Sequence, residues 1–198
     1  MVLKPMPVQF TIDWEKSLAA LVYLASKNLP EFDKYKACKL IFLADKYHLV
    51  QYARPITGDV YFAVEYGPIP SQILDRIKAL ERGEDEEMEA MLGKNPRFSY
   101  PHFTAKAEIN FSALSQSEII ALDRIAELFG SKNFAELKSI THAMPAYSRA
   151  WDARSEGSKR APMQFEDFFE EDAEAVQGAF QEMIEQHAVE SVFPPRGL

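Results

Sequence analysis

The sequence contains a single cysteine, Cys38, so an internal disulfide is excluded and cysteine usage is typical of a reducing compartment. No apolar run approaches the ~20 residues that a membrane-spanning helix requires. The first ten residues lack both the basic segment and the apolar segment of a secretory signal. We therefore expect a cytoplasmic protein that contacts no membrane, with Cys38 as a buried, unreactive thiol.

Positive charge is scarce as well. The chain has 22 Lys and Arg residues against 30 Asp and Glu residues, which gives a formal net charge of −8. Nine carboxylates and no Lys or Arg lie between Phe165 and Glu190, and a second acidic run covers 83–91. Because nucleic-acid binding depends on cations that displace counterions from phosphates, this balance disfavours a nucleic-acid ligand. The modestly basic stretch 148–162 keeps a DNA-binding autorepressor as an alternative.

The usual signatures of catalysis and cofactor binding are absent. The sequence has no phosphate-binding loop, no dinucleotide-binding glycine motif, no HExxH motif and no GxSxG elbow. None of the four histidines lies within ligand spacing of another or of Cys38, so we expect neither a metal nor a cofactor. Asp45 and His48, at i and i+3 on a helix, form half of a hydrolase-like dyad, but no nucleophile follows nearby. We interpret them as polar groups that satisfy each other in a core, and an enzyme stays the alternative.

Apolar periodicity and capping signals predict a mainly helical chain. Asp13 and Asp33 are typical helix N-caps, while Ser115 and Asn133 are each followed three residues later by Glu, as in a capping box. The second helix, which should run to about Val50, is apolar nearly all the way round. Such a helix is normally central and covered on several sides.

β structure is predicted in two places, residues 60–65 and 97–111, where apolar and other residues alternate. We expect 83–97 to be an exposed acidic loop and 166–187 to be an acidic helix. The predicted fold is mainly α with a small antiparallel β-sheet (α+β). Six or seven helices should form one compact domain over 1–198.

The segment 40–75 combines large apolar side chains with charged ones, and structural duties account for most of it. We expect ion pairs among its charged residues to tie the helix to the hairpin, because an unpaired buried charge costs several kcal/mol. The residues expected to pair in this way are Asp45, Arg54, Asp59 and Glu65. The exposed part of the segment is a candidate recognition surface, since Tyr and Arg are enriched at interface hot spots.

The same segment resembles the Panacea domain, the SocA-like antitoxin family that is also met in phage-associated proteins. The resemblance rests on a K-L-x-F-x-A-D-x-x-H-L helix, then R-P-I-T-G-D-x-Y-x-A, then x-x-G-P-I-P. A later block, residues 114–130 followed by 136–151, resembles the second half of the domain through Leu137, Thr141, His142 and Pro145. The motif-bearing core covers about 14–152. Motif residues with an expected structural role are Asp45, His48, Pro55, Gly58, Gly67, Pro68, Thr141, His142 and Pro145.

This resemblance implies binding rather than chemistry. Panacea-type antitoxins neutralise a toxin encoded beside them by direct contact, and delivery of the toxin to a cellular protease is the other mode open to this class. We therefore expect a cognate toxin as the partner. The residues expected to contact it are Arg54, Asp59, Tyr61, Glu65, Tyr66, Glu170, Glu171 and Asp172.

The three acidic residues at 170–172 lie in the expected acidic helix. An acidic surface would steer a basic toxin and raise its association rate, with marked salt sensitivity. The same charges are also typical of a solvated face that keeps a protein soluble. Both interpretations of the acidic helix stay open at the level of sequence.

Overall fold

Seven α-helices and five short strands lie in the parts of the chain that the structure, a computed structural model, describes: residues 8–95, 102–106 and 111–169. The helices are α1 (Trp14–Ser26), α2 (Lys34–Tyr52), α3 (Ser71–Arg82), α4 (Glu86–Met91), α5 (Gln116–Phe129), α6 (Phe134–His142) and α7 (Pro145–Asp152). The strands are β1 (Tyr61–Val64), β2 (Gly67–Pro70), β3 (Leu92–Asn95), β4 (His102–Ala105) and β5 (Arg160–Pro162). A 3-10 helix covers Phe165–Phe169. The expected class, mainly helical with small antiparallel sheets, is confirmed.

The predicted N-caps of four helices are all in place. Asp13, Asp33, Ser115 and Asn133 each accept a hydrogen bond from the backbone N–H three residues ahead. Both predicted capping boxes are also complete, because the following Glu side chains accept from the N–H of Ser115 and Asn133. These bonds satisfy N–H groups that a helix start otherwise leaves without partners.

Helix α2 is the centre of the fold, as its all-round apolar pattern predicts. Its residues 36–49 are buried without interruption, and it contacts α1, α3, α5, α6, β2 and the 3-10 helix. The helix ends at Ala53, which adopts a left-handed conformation with φ 56° and donates its N–H to the carbonyl of Leu49. Arg54 and Pro55 follow and lead the chain away from the helix axis.

Strand β1 lies in the middle of an antiparallel sheet ordered β2–β1–β5. Tyr61 faces Pro70 and Val64 faces Gly67 across the β1–β2 pair. Side chains of β1 alternate between buried and half-buried, as the sequence predicts. The third strand is Arg160–Pro162, inside the stretch whose cations suggested DNA binding.

The expectation of an exposed loop at 83–97 is wrong. The acidic run forms α4, and β3 follows directly and pairs with β4. Two apolar residues of this segment, Met88 in α4 and Leu92 at the start of β3, are buried in the core. Asp85 caps α4 by accepting from the Met88 N–H and is held by two hydrogen bonds of 2.7 Å from Arg76. Because the run is strongly charged, its composition predicts an exposed loop and does not reveal these buried contacts.

The predicted helix at 166–187 is described only at its beginning. There the chain forms the 3-10 helix, whose Phe165 and Phe168 are buried. The remainder of that prediction, including Glu170, Glu171 and Asp172, lies outside the described residues.

Candidate partner-binding site

The carboxylate of Asp45 joins α2 to the loop before β1. It is fully buried and accepts from the backbone N–H groups of Ile56 (2.8 Å) and Thr57 (2.9 Å). The hydroxyl groups of Thr57 and Tyr61 donate to its other oxygen, the latter at 2.8 Å. Burial raises the pKa of Asp45 to about 6, against the opposite effect of these donors. The four donors fix the path of the chain after α2.

Asp45 and His48 do not form the pair that their spacing suggests. The Nδ1 atom of His48 lies 2.7 Å from the Arg54 carbonyl, and its Nε2 lies 3.0 Å from the Ser117 hydroxyl. Because a carbonyl only accepts, Nδ1 carries the proton and Nε2 accepts from Ser117. Burial lowers the pKa of His48, which favours this neutral form. The two side chains therefore bind two different parts of the framework.

Asp59 caps α3 from a distance. The formal N-cap of α3 is Pro70, whose side chain makes no capping hydrogen bond. The carboxylate of Asp59 accepts instead from the N–H groups of Gln72 (3.2 Å) and Ile73 (2.8 Å), the second and third residues of the helix. Burial raises the pKa of Asp59, and these N–H groups act in the opposite direction. Since the cap comes from another element, local sequence signals could not reveal it.

The expectation that Asp59 and Tyr61 contact a partner is not supported by their positions. Their exposed fractions are 0% and 1%. Both are occupied in the networks that hold β1 and α3, so neither side chain reaches the surface in this conformation. They belong to the framework beneath the candidate surface.

Arg54 pairs with Glu118 rather than with the acidic residues of its own segment. Its guanidinium contacts Glu118, which also accepts from Lys16 at 2.7 Å. Burial alone would raise the pKa of Glu118, but hydrogen bonds from Lys16, Arg54 and the Ser115 N–H lower it to about 2. The predicted ion pairs of Asp45 and Asp59 with Arg54 are therefore wrong, because these carboxylates bind N–H and hydroxyl donors instead.

Two motif residues, Pro55 and Gly58, lie in the loop that precedes β1, and Gly58 allows the close approach of another segment. Pro55 and Gly58 are both buried. Gly58 has φ +69°, and a Cβ there would lie 2.4 Å from the carbonyl oxygen of Thr11. Only glycine fits at this position, because the segment before α1 passes directly over it.

The β1–β2 turn rests on a buried lysine. Lys39 is 1% exposed, and its ammonium donates to the Pro68 carbonyl at 2.8 Å. Gly67 has φ +97°, and a Cβ there would lie 2.9 Å from both Lys39 Nζ and Thr141 Oγ1. Burial lowers the pKa of Lys39 to about 8. The turn is thereby held against α2 on one side and α6 on the other.

His142 and Pro145 lie where α6 gives way to α7. The ring of His142 stacks on Tyr147 with centroids 4.2 Å apart, and Pro145 is the first residue of α7. Burial lowers the pKa of His142 to about 4, and the nearby cations of Lys138 and Lys39 act in the same direction. Tyr147 in turn donates its hydroxyl to the Val64 carbonyl at 2.9 Å, which ties α7 to β1.

Three exposed aromatic rings meet above this turn. Tyr66 is 48% exposed, Tyr35 is 42% exposed and Phe134 is 41% exposed. The Phe134 ring lies 5.7 Å from that of Tyr35 and 6.1 Å from that of Tyr66. Only Tyr66 had been singled out from the sequence. Tyr35 lies in the first turn of α2 and Phe134 is the first residue of α6. The two rings become neighbours only in the folded chain, so their spacing in the sequence does not reveal the group.

Three of the four cations at 148–162 contact other side chains of the chain: Arg149 pairs with Asp167 at 2.9 Å, while Arg154 and Arg160 lie over the rings of Trp151 and Phe62. The fourth, Lys159, is exposed. Within the described residues, no three His, Cys, Asp or Glu side chains lie together as a metal site requires. No helix among them is long and apolar enough to cross a bilayer.

Comparison with known families identifies this arrangement. The sequence model of the family described as "Antitoxin SocA-like, Panacea domain" matches residues 38–148, more than half of the chain. The chain belongs to this family. No curated protein and no solved structure matches the chain.

The Panacea match runs from α2 into α7. It includes the Asp45 and Asp59 networks, the β1–β2 turn and the contacts of Lys39 with that turn. Of the Panacea motif residues recognised in the sequence, Asp45 and Asp59 therefore fix the backbone between α2 and α3. The family assignment indicates an antitoxin and, in general terms, a protein partner.

Proposed function

We propose that this chain is an antitoxin that neutralises a cognate toxin by direct protein–protein binding. Membership of the SocA-like Panacea family carries the proposal. Its site of action would be the cytoplasm, which agrees with the lone, buried Cys38.

The geometry supports binding through a preformed surface. Asp45, Asp59 and Lys39 each bond to backbone groups that flank β1 and β2. A surface whose backbone is fixed in advance loses little conformational entropy when a partner binds, so more of the contact energy appears as affinity. The described part of the chain thus carries a rigid unit with an exposed turn.

Glu65 and Tyr66 are the two exposed residues of that turn, and we propose that both contact the toxin. Arg54 is a separate case, because it follows the end of α2 while Tyr66 packs near its start, through Phe134 and Tyr35. The 19 residues of α2 span about 28 Å. A toxin that touches both Arg54 and Tyr66 must therefore cover the length of this helix.

Co-expression with the neighbouring gene tests the proposal. We expect the product of a small reading frame beside this one to arrest growth when expressed alone, and growth to recover when this chain is present. The two proteins should co-purify. Unrelieved toxicity, or rescue without any complex between the purified proteins, would overturn direct neutralisation.

The lifetime of the toxin distinguishes the two modes open to such antitoxins. Occlusion leaves the toxin's half-life in cells unchanged or longer, since the bound toxin is sequestered but intact. Delivery to a protease shortens that half-life when the antitoxin is present. A pulse-chase measurement with and without this chain decides between them.

A further inference from the structure

The three rings above the β1–β2 turn enclose a cleft that opens to solvent. This aromatic cleft is lined by Asp33, Tyr35, Tyr66 and Phe134 and has a volume of about 300 Å³. Its rings come from three separate elements: the first turn of α2, the β1–β2 turn and the first residue of α6. Exposed aromatic groups of this kind are enriched at the centres of protein interfaces.

The elements beneath the cleft hold its rings in place. Tyr66 is attached to the turn that Lys39 fixes through the Pro68 carbonyl. Tyr35 and Phe134 each follow shortly after a capped helix start, at Asp33 and Asn133. The backbone under all three rings is therefore ordered before any partner arrives, and a ring pocket of this size accommodates one large apolar side chain.

One of the two cations beside the cleft has no carboxylate partner among the described residues. Lys138 lies over the Tyr66 ring at 5.2 Å and has no carboxylate partner in the described part of the chain. Lys34, over the Tyr35 ring at 5.5 Å, is already paired with Glu81 at 2.8 Å. Two cations thus border the rings, and one of them, Lys138, is not paired with a described carboxylate.

None of the nearby described carboxylates pairs with Lys138. Asp33 accepts from the Lys36 N–H at 2.9 Å, and Glu136 accepts from the Asn133 N–H at 2.8 Å. Glu65 lies on the α7 side of the turn, where its charge acts on Tyr147. Beneath the turn the field is also positive, because the buried ammonium of Lys39 bonds to a carbonyl rather than to a carboxylate.

We propose that the aromatic cleft is the main contact site for the toxin, and that it receives an apolar side chain of the toxin flanked by a carboxylate that pairs with Lys138. The apolar side chain fills the space between the Tyr35, Tyr66 and Phe134 rings. The carboxylate supplies the counter-charge that Lys138 lacks. This inference rests on the proposed function, since it names the surface by which the toxin is bound.

Binding of the purified full chain to the product of the neighbouring reading frame tests the proposal. We expect Tyr66→Ala and Phe134→Ala each to raise the dissociation constant at least tenfold, as hot-spot truncations do. Phe169→Ala is the matched control, because Phe169 is also an exposed aromatic residue, at 55%, but lies next to the Phe168 that packs against Phe42. The control variant should bind like the wild type.

A second pair of variants tests whether Lys138 pairs with a carboxylate of the toxin. Lys138→Glu should raise the dissociation constant at least tenfold at low salt, with a smaller effect at high salt. Lys159→Glu changes an exposed lysine by the same charge and should have little effect. Unfolding by urea, measured for every variant, shows that the fold is retained.

Each other outcome points to a different failure. If the wild type binds the toxin and the ring variants bind equally well, the cleft is not the contact site, although the proposed function stands. If the ring variants fail but Lys138→Glu binds as well as or better than the wild type, the flanking carboxylate is wrong. If the isolated chain is a dimer that Phe134→Ala separates, the occupant is a second copy. If the wild type neither binds nor protects, the proposed function fails, and this site with it.

Discussion

A small number of buried polar residues determine the path of the main chain in this protein. Asp45 and Asp59 together receive hydrogen bonds from the backbone of the loop before β1 and from the start of α3. Each bond is worth about 1 kcal/mol net, but a buried donor left without an acceptor costs about 1–3 kcal/mol. The consequence is that removal of one carboxylate affects several elements at once.

Asp45→Ala should lower the free energy of unfolding by about 3–5 kcal/mol, since it leaves two N–H groups and two hydroxyl groups without their acceptor. Urea titration followed by circular dichroism measures this change. The control is Asp75→Ala, whose carboxylate is exposed and pairs only with Lys78 in the described structure, and which should change stability by about 0.5 kcal/mol or less. Equal stabilities of the two variants would contradict the role assigned to Asp45.

Gly67→Ala should destabilise the protein by more than about 2 kcal/mol, because its Cβ would meet Lys39 Nζ and Thr141 Oγ1 in a left-handed backbone conformation. Gly157→Ala separates the two causes. Gly157 also has positive φ, +76°, but nothing lies within 4 Å of its Cβ position, so only the conformational cost of about 1 kcal/mol applies. Thermal unfolding of both variants gives the comparison, and a smaller loss at Gly67 than at Gly157 would show that the contacts are not tight.

At the scale of elements, helix starts could be predicted and contacts between elements could not. Four N-caps and two capping boxes follow from residues three apart, so the sequence contains the whole signal. The pairing of Arg54 with Glu118 and the capping of α3 by Asp59 depend on which elements become neighbours. Strand β5 and helix α4 were missed for a similar reason, since short elements are stabilised by tertiary contacts more than by propensity.

Helix α2 also makes contacts with other elements that the sequence does not predict. Lys36, Lys39 and Lys46 are buried on α2, although lysine is among the residues least often found inside proteins. Each ammonium donates to a backbone carbonyl of another element, at Gly130, Pro68 and Phe168. A helix of apolar type could be recognised from the sequence, but the acceptors of its lysines could not.

The junction of α5 with α1 and the end of α2 should be sensitive to acid. The folded pKa of Glu118, about 2, lies below its ordinary value of 4.5, so its ion pairs stabilise the fold fully above about pH 4.5. This stabilisation is lost as the pH falls from there towards 2. We expect Glu118→Gln to cost about 1–3 kcal/mol at pH 7, and the difference from the wild type to shrink below pH 4.5.

Urea unfolding of the wild type and of Glu118→Gln at pH 7, 4 and 3 measures this dependence. Glu127→Gln is the control, because Glu127 is 66% exposed in its pair with Arg124. A pH-independent difference between wild type and Glu118→Gln would mean that the carboxylate acts through shape rather than charge.

At the scale of the whole molecule, a net charge of −8 should favour approach of a basic toxin. Replacement of Glu170, Glu171 and Asp172 by Lys should lower the association rate at low salt, because three negative charges become positive and the net charge of the segment changes by about six units. Stopped-flow measurement at two salt concentrations tests this, with the dissociation rate expected to change little. An unchanged association rate would leave these residues with a solubilising role.

The buried side chains of this fold bond mainly to the main chain of their neighbours, and main-chain atoms are the same for nearly every amino acid. Lys39 needs a carbonyl at position 68, and Asp59 needs N–H groups at 72 and 73, whatever side chains those positions carry. Substitutions on the outer surface therefore leave the anchors intact. Homologues can therefore differ in the surface residues that contact a partner and still keep the same main-chain framework.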